Sequence, residues 1–245
     1  MRENIEKAVE ILKKSSFPVV MTGAGVSQES GIPTFRGKDG LWKNFRAEEL
    51  ATPYAFVKNP VLVWEWYEWR RDIIRKASPN PAHLAIKEME EIFEAFLLIT
   101  QNVDGLHSKA GSKKVVEFHG NIWKERCSRC EFERFFYEKH EKLPPLCPSC
   151  GGYLRPGVVW FGEAIPEDVL QISYSAIRKC DLFISAGTSA VVQPAASFVH
   201  IVLSQGKPVI EINLEETPVS HLVTISINGK AGEIFPQLLE GLKKR

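Results

Sequence analysis

Pro18-Val19-Val20-Met21-Thr22-Gly23-Ala24-Gly25-Val26-Ser27 sets an apolar run directly against a glycine turn. A buried strand that ends in Gly-x-Gly and turns toward a helix is how an α/β protein offers backbone N–H groups to a phosphate. Gly23 and Gly25 suit the turn because a residue without Cβ lets the backbone approach a pyrophosphate closely and take positive φ. A Gly-x-Gly alone is a common connector. Here the run continues through Gln28-Glu29-Ser30-Gly31-Ile32-Pro33-Thr34-Phe35-Arg36-Gly37, where Ser27, Ser30 and Arg36 mix with Ile32 and Phe35. Such a mixture suits gripping a nucleotide and enclosing one end of it.

Further apolar runs at 95–100, 115–118, 181–186, 208–213 and 222–226 read as strands, and helical stretches separate them. Ile5, Ala8, Val9 and Leu12 recur at helical spacing, and Asn80-Pro81 reads as the start of a helix reaching about Phe93. Continuous apolar strands alternating with helices predict a parallel sheet covered on both faces. The loops after Thr22, Thr100, Ala186 and Ile212 follow the carboxyl ends of strands, where open α/β sheets bind ligands. The expected architecture is α/β: a Rossmann-like doubly wound parallel sheet domain from 1–39, 78–120 and 158–245. A smaller helical and zinc-binding lobe is expected from the insertions 40–77, rich in Trp, and 121–157, which holds paired cysteines.

The 245 residues carry 31 Lys and Arg against 30 Asp and Glu, so no basic excess points to nucleic acid. Lys243-Lys244-Arg245 reads as a solvated helix end, where positive charge complements the dipole. No apolar run of about 18 residues spans a membrane. Met1 to Lys7 carries acidic residues and no apolar signal core, and a cytoplasmic location is the expectation.

Cys127-x2-Cys130 and Cys147-x2-Cys150 form two knuckles separated by residues 131–146. Disulfides are the competing reading, but the expected reducing compartment favours metal. Paired knuckles at this spacing predict one zinc ion, and four thiolates leave no open position, so the role is structural. Cys180 precedes a strand and reads as a small core residue. Among six histidines, His119 ends a strand just before the cysteine segment, which puts its imidazole at the mouth of the cleft. His107, on an expected helix, reads as a packing or hydrogen-bonding residue.

The Gly-Ala-Gly…Gly-Ile-Pro-x-Phe-Arg run resembles the sirtuins, the NAD-dependent protein-lysine deacylases. Thr100-Gln101-Asn102-Val103-Asp104, Glu117-Phe118-His119-Gly120, the cysteine knuckles, Arg155-Pro156-x-Val158-Val159-x-Phe161-Gly162-Glu163 and Gly187-Thr188-Ser189 extend the resemblance in the family's order, from about Val19 to Ala231. It implies that NAD is a co-substrate. By that implication the acyl-lysine carbonyl oxygen attacks C1′ of the nicotinamide ribose as nicotinamide departs, His119 as general base helps deprotonate a ribose hydroxyl so that the 2′-oxygen attacks the amidate carbon, and water completes release of free lysine and O-acyl-ADP-ribose. The resemblance assigns cofactor contact to Gly23, Ala24, Gly25, Ser27, Ile32, Phe35, Arg36 and Trp42. It adds Gln101, Asn102, Val103 and Asp104 after the second strand, then Gly187, Thr188 and Ser189. Asn213, Leu214, Glu215 and Ala231 fall at the adenosine end. Asn102 and Gln101 are implied to order ribose and water, and Asp104 to hold the nicotinamide carboxamide.

Tyr67 and Arg70 stand three apart, on one face of a helix. They match the Tyr-x-x-Arg signature of the class III sirtuins, which favour succinyl-, malonyl- and glutaryl-lysine. A guanidinium grips a carboxylate bidentately and a phenol adds a hydrogen bond. Arg71 is an equally visible charge, and the choice between it and Arg70 rests on the family register. Val158, Val159, Phe161 and Gly162, with residues 191–194, are implied to flank an extended substrate peptide as an added strand. The expected partners are acyl-lysine proteins or peptides, with no nucleic acid and no membrane.

Rival classes stay open. A nicotinamide dehydrogenase would want a third glycine where Gln28 stands. Chiefly deacetylase action, protein mono-ADP-ribosyl transfer and a non-enzymatic NAD- or zinc-dependent binder also compete.

Overall fold

The run at 18–22 is a strand buried along its whole length, at the centre of the main sheet. The computed structural model describes residues 1–34, 42–43 and 45–244. In chain order the strands are β1 (Pro18–Thr22), β2 (Leu97–Thr100), β3 (Val115–Glu117), β4 (Gly120–Cys127), β5 (Glu133–Phe135), β6 (Leu154–Val158), β7 (Leu182–Ala186), β8 (Val209–Asn213) and β9 (Ile225–Asn228). The helices are α1 (Arg2–Lys14), α2 (Ala24–Gln28), α3 (Ala47–Leu50), α4 (Pro53–Lys58), α5 (Pro60–Lys76), α6 (Pro81–Ile92), α7 (Leu106–Ala110), α8 (Glu167–Lys179), α9 (Ser197–Ser204) and α10 (Ala231–Lys243).

A six-stranded sheet runs β3-β2-β1-β7-β8-β9, every neighbouring pair parallel. The chain steps outward from β1 through β2 and β3, then returns to lay β7 on the other edge of β1. That reversal opens a crevice beyond the carboxyl ends of β1 and β7, the topological switch point of a doubly wound sheet. One face packs Leu12, Ile86, Met89, Phe235 and Leu238 from α1, α6 and α10. The other packs Ile177, Phe198, Val199 and Val202 from α8 and α9. Asn59 and Asn80 cap α5 and α6, accepting from Leu62 N and Ala82 N at 3.0 and 2.9 Å, each ahead of a first-turn proline.

The runs at 95–100, 115–118, 181–186 and 208–213 are β2, β3, β7 and β8. The run at 222–226 shifts: β9 begins at Ile225, and Leu222 is exposed in a turn. Thr217 and Ser220 donate their hydroxyls to Glu211, and Thr224 Oγ1 accepts from Val209 N at 3.0 Å. These ties spend the first residues of the apolar run on the turn. Cys180 is fully buried, as expected of a core residue. Among the described residues no helix is long and apolar enough to cross a membrane.

A three-stranded antiparallel sheet, β5-β4-β6, stands beside the main sheet. Trp64, Trp66 and Tyr67 of α5 share a third core with Ile122, Val158 and Trp160. Arg71 docks α5 on β4: its Nε and Nη2 donate to Ile122 O at 3.0 and 2.6 Å, and Nη1 meets Glu68 and Glu125 at 3.2 and 3.1 Å. Arg71 and Glu125 are both wholly buried. Without Arg71, Glu125 keeps Arg134 and His140 and Glu68 keeps Arg75, but the buried Ile122 carbonyl loses both its arginine donors. Arg71→Met should therefore cost about 1–3 kcal/mol of unfolding free energy in denaturant melts; a loss within about 0.5 kcal/mol, the range of an ordinary surface change, would contradict this docking role.

Candidate active site

β1, β7 and β8 deliver their loops to one place because their backbones nearly touch at the crevice. Gly23 N donates to Ala186 O and Gly25 N to Gly187 O, each at 2.9 Å. A Cβ on Gly23 would lie 2.7 Å from Gly187 O, and one on Gly25 would lie 2.9 Å from Gly187 Cα. Gly187 itself takes φ 59°, a conformation that disfavours a side chain.

The crevice is a cavity of ≈ 1190 Å³. It gathers Gly23, Ala24, Gly25, Ser27 and Ile32 after β1, then Gln101, Asn102, Val103 and Asp104 after β2. His119, Gly187, Thr188 and Ser189 line it too, as do Asn213, Leu214, Glu215 and Ala231. From the smaller sheet and α5 come Tyr67, Arg70, Val158, Val159, Phe161 and Gly162. Trp42 departs from its expected place: it is bridged to Phe45, its ring 6.3 Å from Trp69, and it is not among the described residues that line the cavity. The expectations for Phe35 and Arg36 lie outside the described residues. Ala47, Glu48 and Ala51 of α3 and the turn after it, and Trp66 and Ile74 of α5, also line the cavity. None carries a motif. Only the helical periodicity that puts Trp66 and Ile74 on the Tyr67 and Arg70 side of α5 could have pointed to them.

The polar floor is a closed network. Asn102 Nδ2 donates to Gly23 O and Ser27 Oγ, both at 3.0 Å, and Ser27 Oγ donates to Asp104 Oδ2 at 2.8 Å. Leu106 N also donates to Asp104, at 2.8 Å. Burial raises the Asp104 pKa against the pull of these donors. His119 Nδ1 lies 3.1 Å from Gln101 O. A carbonyl only accepts, so Nδ1 carries the proton and Nε2 keeps its lone pair. Burial lowers the His119 pKa, partly countered by that hydrogen bond. His107 Nε2 meets Thr22 Oγ1 at 3.0 Å, the hydrogen-bonding role its position suggested. Burial pushes His83 down to about 4 and holds His107 well below its ordinary value.

At the α5 wall the two arginines part. Arg71 is consumed in the docking network, while Arg70 lines the cavity with its guanidinium 4.9 Å from the Trp66 ring centre and 5.6 Å from that of Tyr67. Burial raises the Tyr67 pKa, and the charge of Arg70 opposes it.

The four knuckle sulfurs lie within 4.8 Å of one another. The Cys127–Cys150 and Cys130–Cys147 separations are 3.4 and 3.7 Å. Thiolates at ~2.3 Å around one zinc would stand about 3.8 Å apart, so the set fits a tetrahedral ion. Zinc there would tie the β4 end to the loop before β6.

A doubly wound sheet with a glycine-walled crevice, a half-buried imidazole lining it and a four-cysteine cluster suited to zinc beside it is the frame of a nucleotide-using α/β enzyme. Residues 23–194 match the Sir2 family, and the chain belongs to that family. It is 54% identical over 228 residues to the NAD-dependent protein deacylase of Aquifex aeolicus (strain VF5), covering 93% of this chain and 95% of the relative. A Sir2 homolog–NAD complex superimposes with TM-score 0.94 at 49% identity, covering 98% of this chain and 94% of the other. A Sir2 homologue mutant in complex with 2′-O-acetyl ADP ribose gives TM-score 0.93 at 48% identity, covering 97% and 96%. The chain is thus an NAD-dependent protein deacylase, an enzyme rather than a passive binder, with NAD as its co-substrate.

Two outcomes follow. Metal analysis should find one zinc per chain, and stripping it, or Cys147→Ser, should lower the thermal midpoint; an unchanged midpoint after removal would deny it a structural role. His83, neutral when folded, stabilises fully above about pH 6.5. That stability should fall as pH drops toward about 4, by about 1.4 kcal/mol per pH unit. Denaturant melts across this range, compared with His83→Asn, check the slope.

Proposed function

We propose that this enzyme removes succinyl and malonyl groups from protein lysine in preference to acetyl, yielding nicotinamide, O-acyl-ADP-ribose and free lysine. The observation that carries the reading is that Arg70 and Tyr67 line the same cavity as His119 and the glycine turn. A guanidinium and a phenol among the buried rings of α5 have no use for a methyl terminus. A terminal carboxylate would accept from both, a charge-assisted gain in a dry pocket that the acetyl substrate does not offer.

In this reading the cofactor lies between the two sheets, its phosphates on Gly23, Ala24, Gly25, Thr188 and Ser189. Its adenosine end meets Asn213, Leu214, Glu215 and Ala231. Asp104 holds the carboxamide, Ile32 shields the reacting carbon, and Gln101 and Asn102 order ribose and water. His119 takes a ribose hydroxyl proton at Nε2, the nitrogen its bond to Gln101 O leaves available. Val158, Val159, Phe161 and Gly162 on one side, and residues 191–194 on the other, grip the peptide mainly through main chain. That geometry favours loose sequence selectivity.

A second reading, chiefly deacetylation, draws on the homologue complex with 2′-O-acetyl ADP ribose. Tyr67→Phe combined with Arg70→Met separates the two. The pair should cut kcat/KM for a succinyl-lysine peptide about 100-fold or more and lower the acetyl value far less. Equal losses on both peptides would contradict the acyl assignment. Because burial lowers the His119 pKa, the acid limb of kcat/KM should fall below pH 6.5 and vanish in His119→Asn; a limb above that value would contradict His119 as base.

A further inference from the structure

Trp160 donates its indole Nε1–H to the Tyr67 hydroxyl oxygen at 2.8 Å, in the wall of the cavity. Both side chains are buried, so water does not compete for this bond. Trp160 is itself clamped. The Arg155 guanidinium lies 3.3 Å from its ring centre and forks onto Glu163 at 2.5 and 2.9 Å. Glu163 also accepts from Trp160 N at 2.9 Å, and Phe56 packs 5.3 Å away.

A phenol offers one donor hydrogen and two acceptor lone pairs, whereas an indole N–H only donates. The Tyr67 hydrogen therefore cannot point at Trp160. Arg70, whose positive field also reaches the Tyr67 hydroxyl, is no acceptor either. The nearby Glu163 carboxylate is taken up by Arg155 and Trp160 N, which leaves the Tyr67 hydrogen for an acceptor in the cavity. We propose that Trp160 is a specificity-determining positioning residue: it fixes Tyr67 as a donor aimed at the acyl terminus. The inference rests on the preceding reading that the cavity takes an acyl group ending in a carboxylate. Such a terminus accepts the aimed hydrogen, and a chain of donors, Trp160 to Tyr67 to carboxylate, polarises along its length. A methyl terminus gains nothing from the aim. Trp160 thus adds to discrimination without touching the acyl carboxylate.

The test is Trp160→Phe, alone and in a Tyr67→Phe background, with kcat and KM measured on succinyl- and acetyl-lysine versions of one peptide. Trp160→Phe alone should raise the succinyl KM and lower the succinyl-to-acetyl ratio of kcat/KM about fivefold or more. In the Tyr67→Phe background it should leave the ratio unmoved, because the residue acts through that hydroxyl. A ratio unchanged by Trp160→Phe, or reduced equally in both backgrounds, overturns the inference while leaving the acyl reading intact. An unsubstituted enzyme without succinyl preference overturns the acyl reading, and this inference with it. Should Trp160→Phe fail to fold, a benzothienyl side chain at 160 keeps the shape, replaces the N–H by sulfur and should give the same fall.

Discussion

The backbone contact between Gly23, Gly25 and Gly187 is the constraint on which the site depends. No room for a Cβ exists there, and the Gly25 N–H is bonded directly to the Gly187 carbonyl. This contact holds the ends of β1 and β7 together where the strand order reverses. The Asn102 amide reaches across from the β2 loop to Gly23 O, so three loops are tied together at the crevice. A larger residue at any of the three glycines would force these loops apart, and the polar floor of Asn102, Ser27 and Asp104 would lose its alignment. Sheet topology, glycine placement and the proposed nucleotide chemistry are in this sense one arrangement.

The opposite wall is set by charge buried in the smaller sheet. Arg71 and Glu125 fix α5 against β4, and that docking decides which face of α5 looks into the cavity. Arg70 and Tyr67 face inward because Arg71 faces the other way. A buried ion pair adds little net stability compared with an apolar core of the same volume. We read its value here as orientation, since a helix that rotated would carry Arg70 and Tyr67 away from the cavity and expose Trp64.

Much of this was legible in the chain. Alternating apolar strands and helices gave the doubly wound sheet, because a parallel strand buried on both faces must be a continuous apolar run. The paired knuckles gave the thiolate cluster, because thiolate spacing is a local property. What was not legible depended on distant partners. The strand at 222–226 slid to Ile225 because Glu211, on the neighbouring strand β8, claims the hydroxyls of Thr217 and Ser220. Arg70 and Arg71 could not be told apart, since only β4 distinguishes the two sides of α5. Trp42 was drawn to Phe45 and Trp69 rather than to the cleft. Trp160 sits among the residues implied to flank the peptide without a motif role of its own, and its bond to Tyr67 joins residues far apart in sequence.

A crystal structure of the enzyme with NAD and a succinyl-lysine peptide tests the acyl assignment at its source. The succinyl carboxylate should lie within hydrogen-bonding distance of both the Tyr67 hydroxyl and the Arg70 guanidinium, with the Trp160 N–H still on Tyr67. A carboxylate turned to solvent, or held by a different cation, would contradict it.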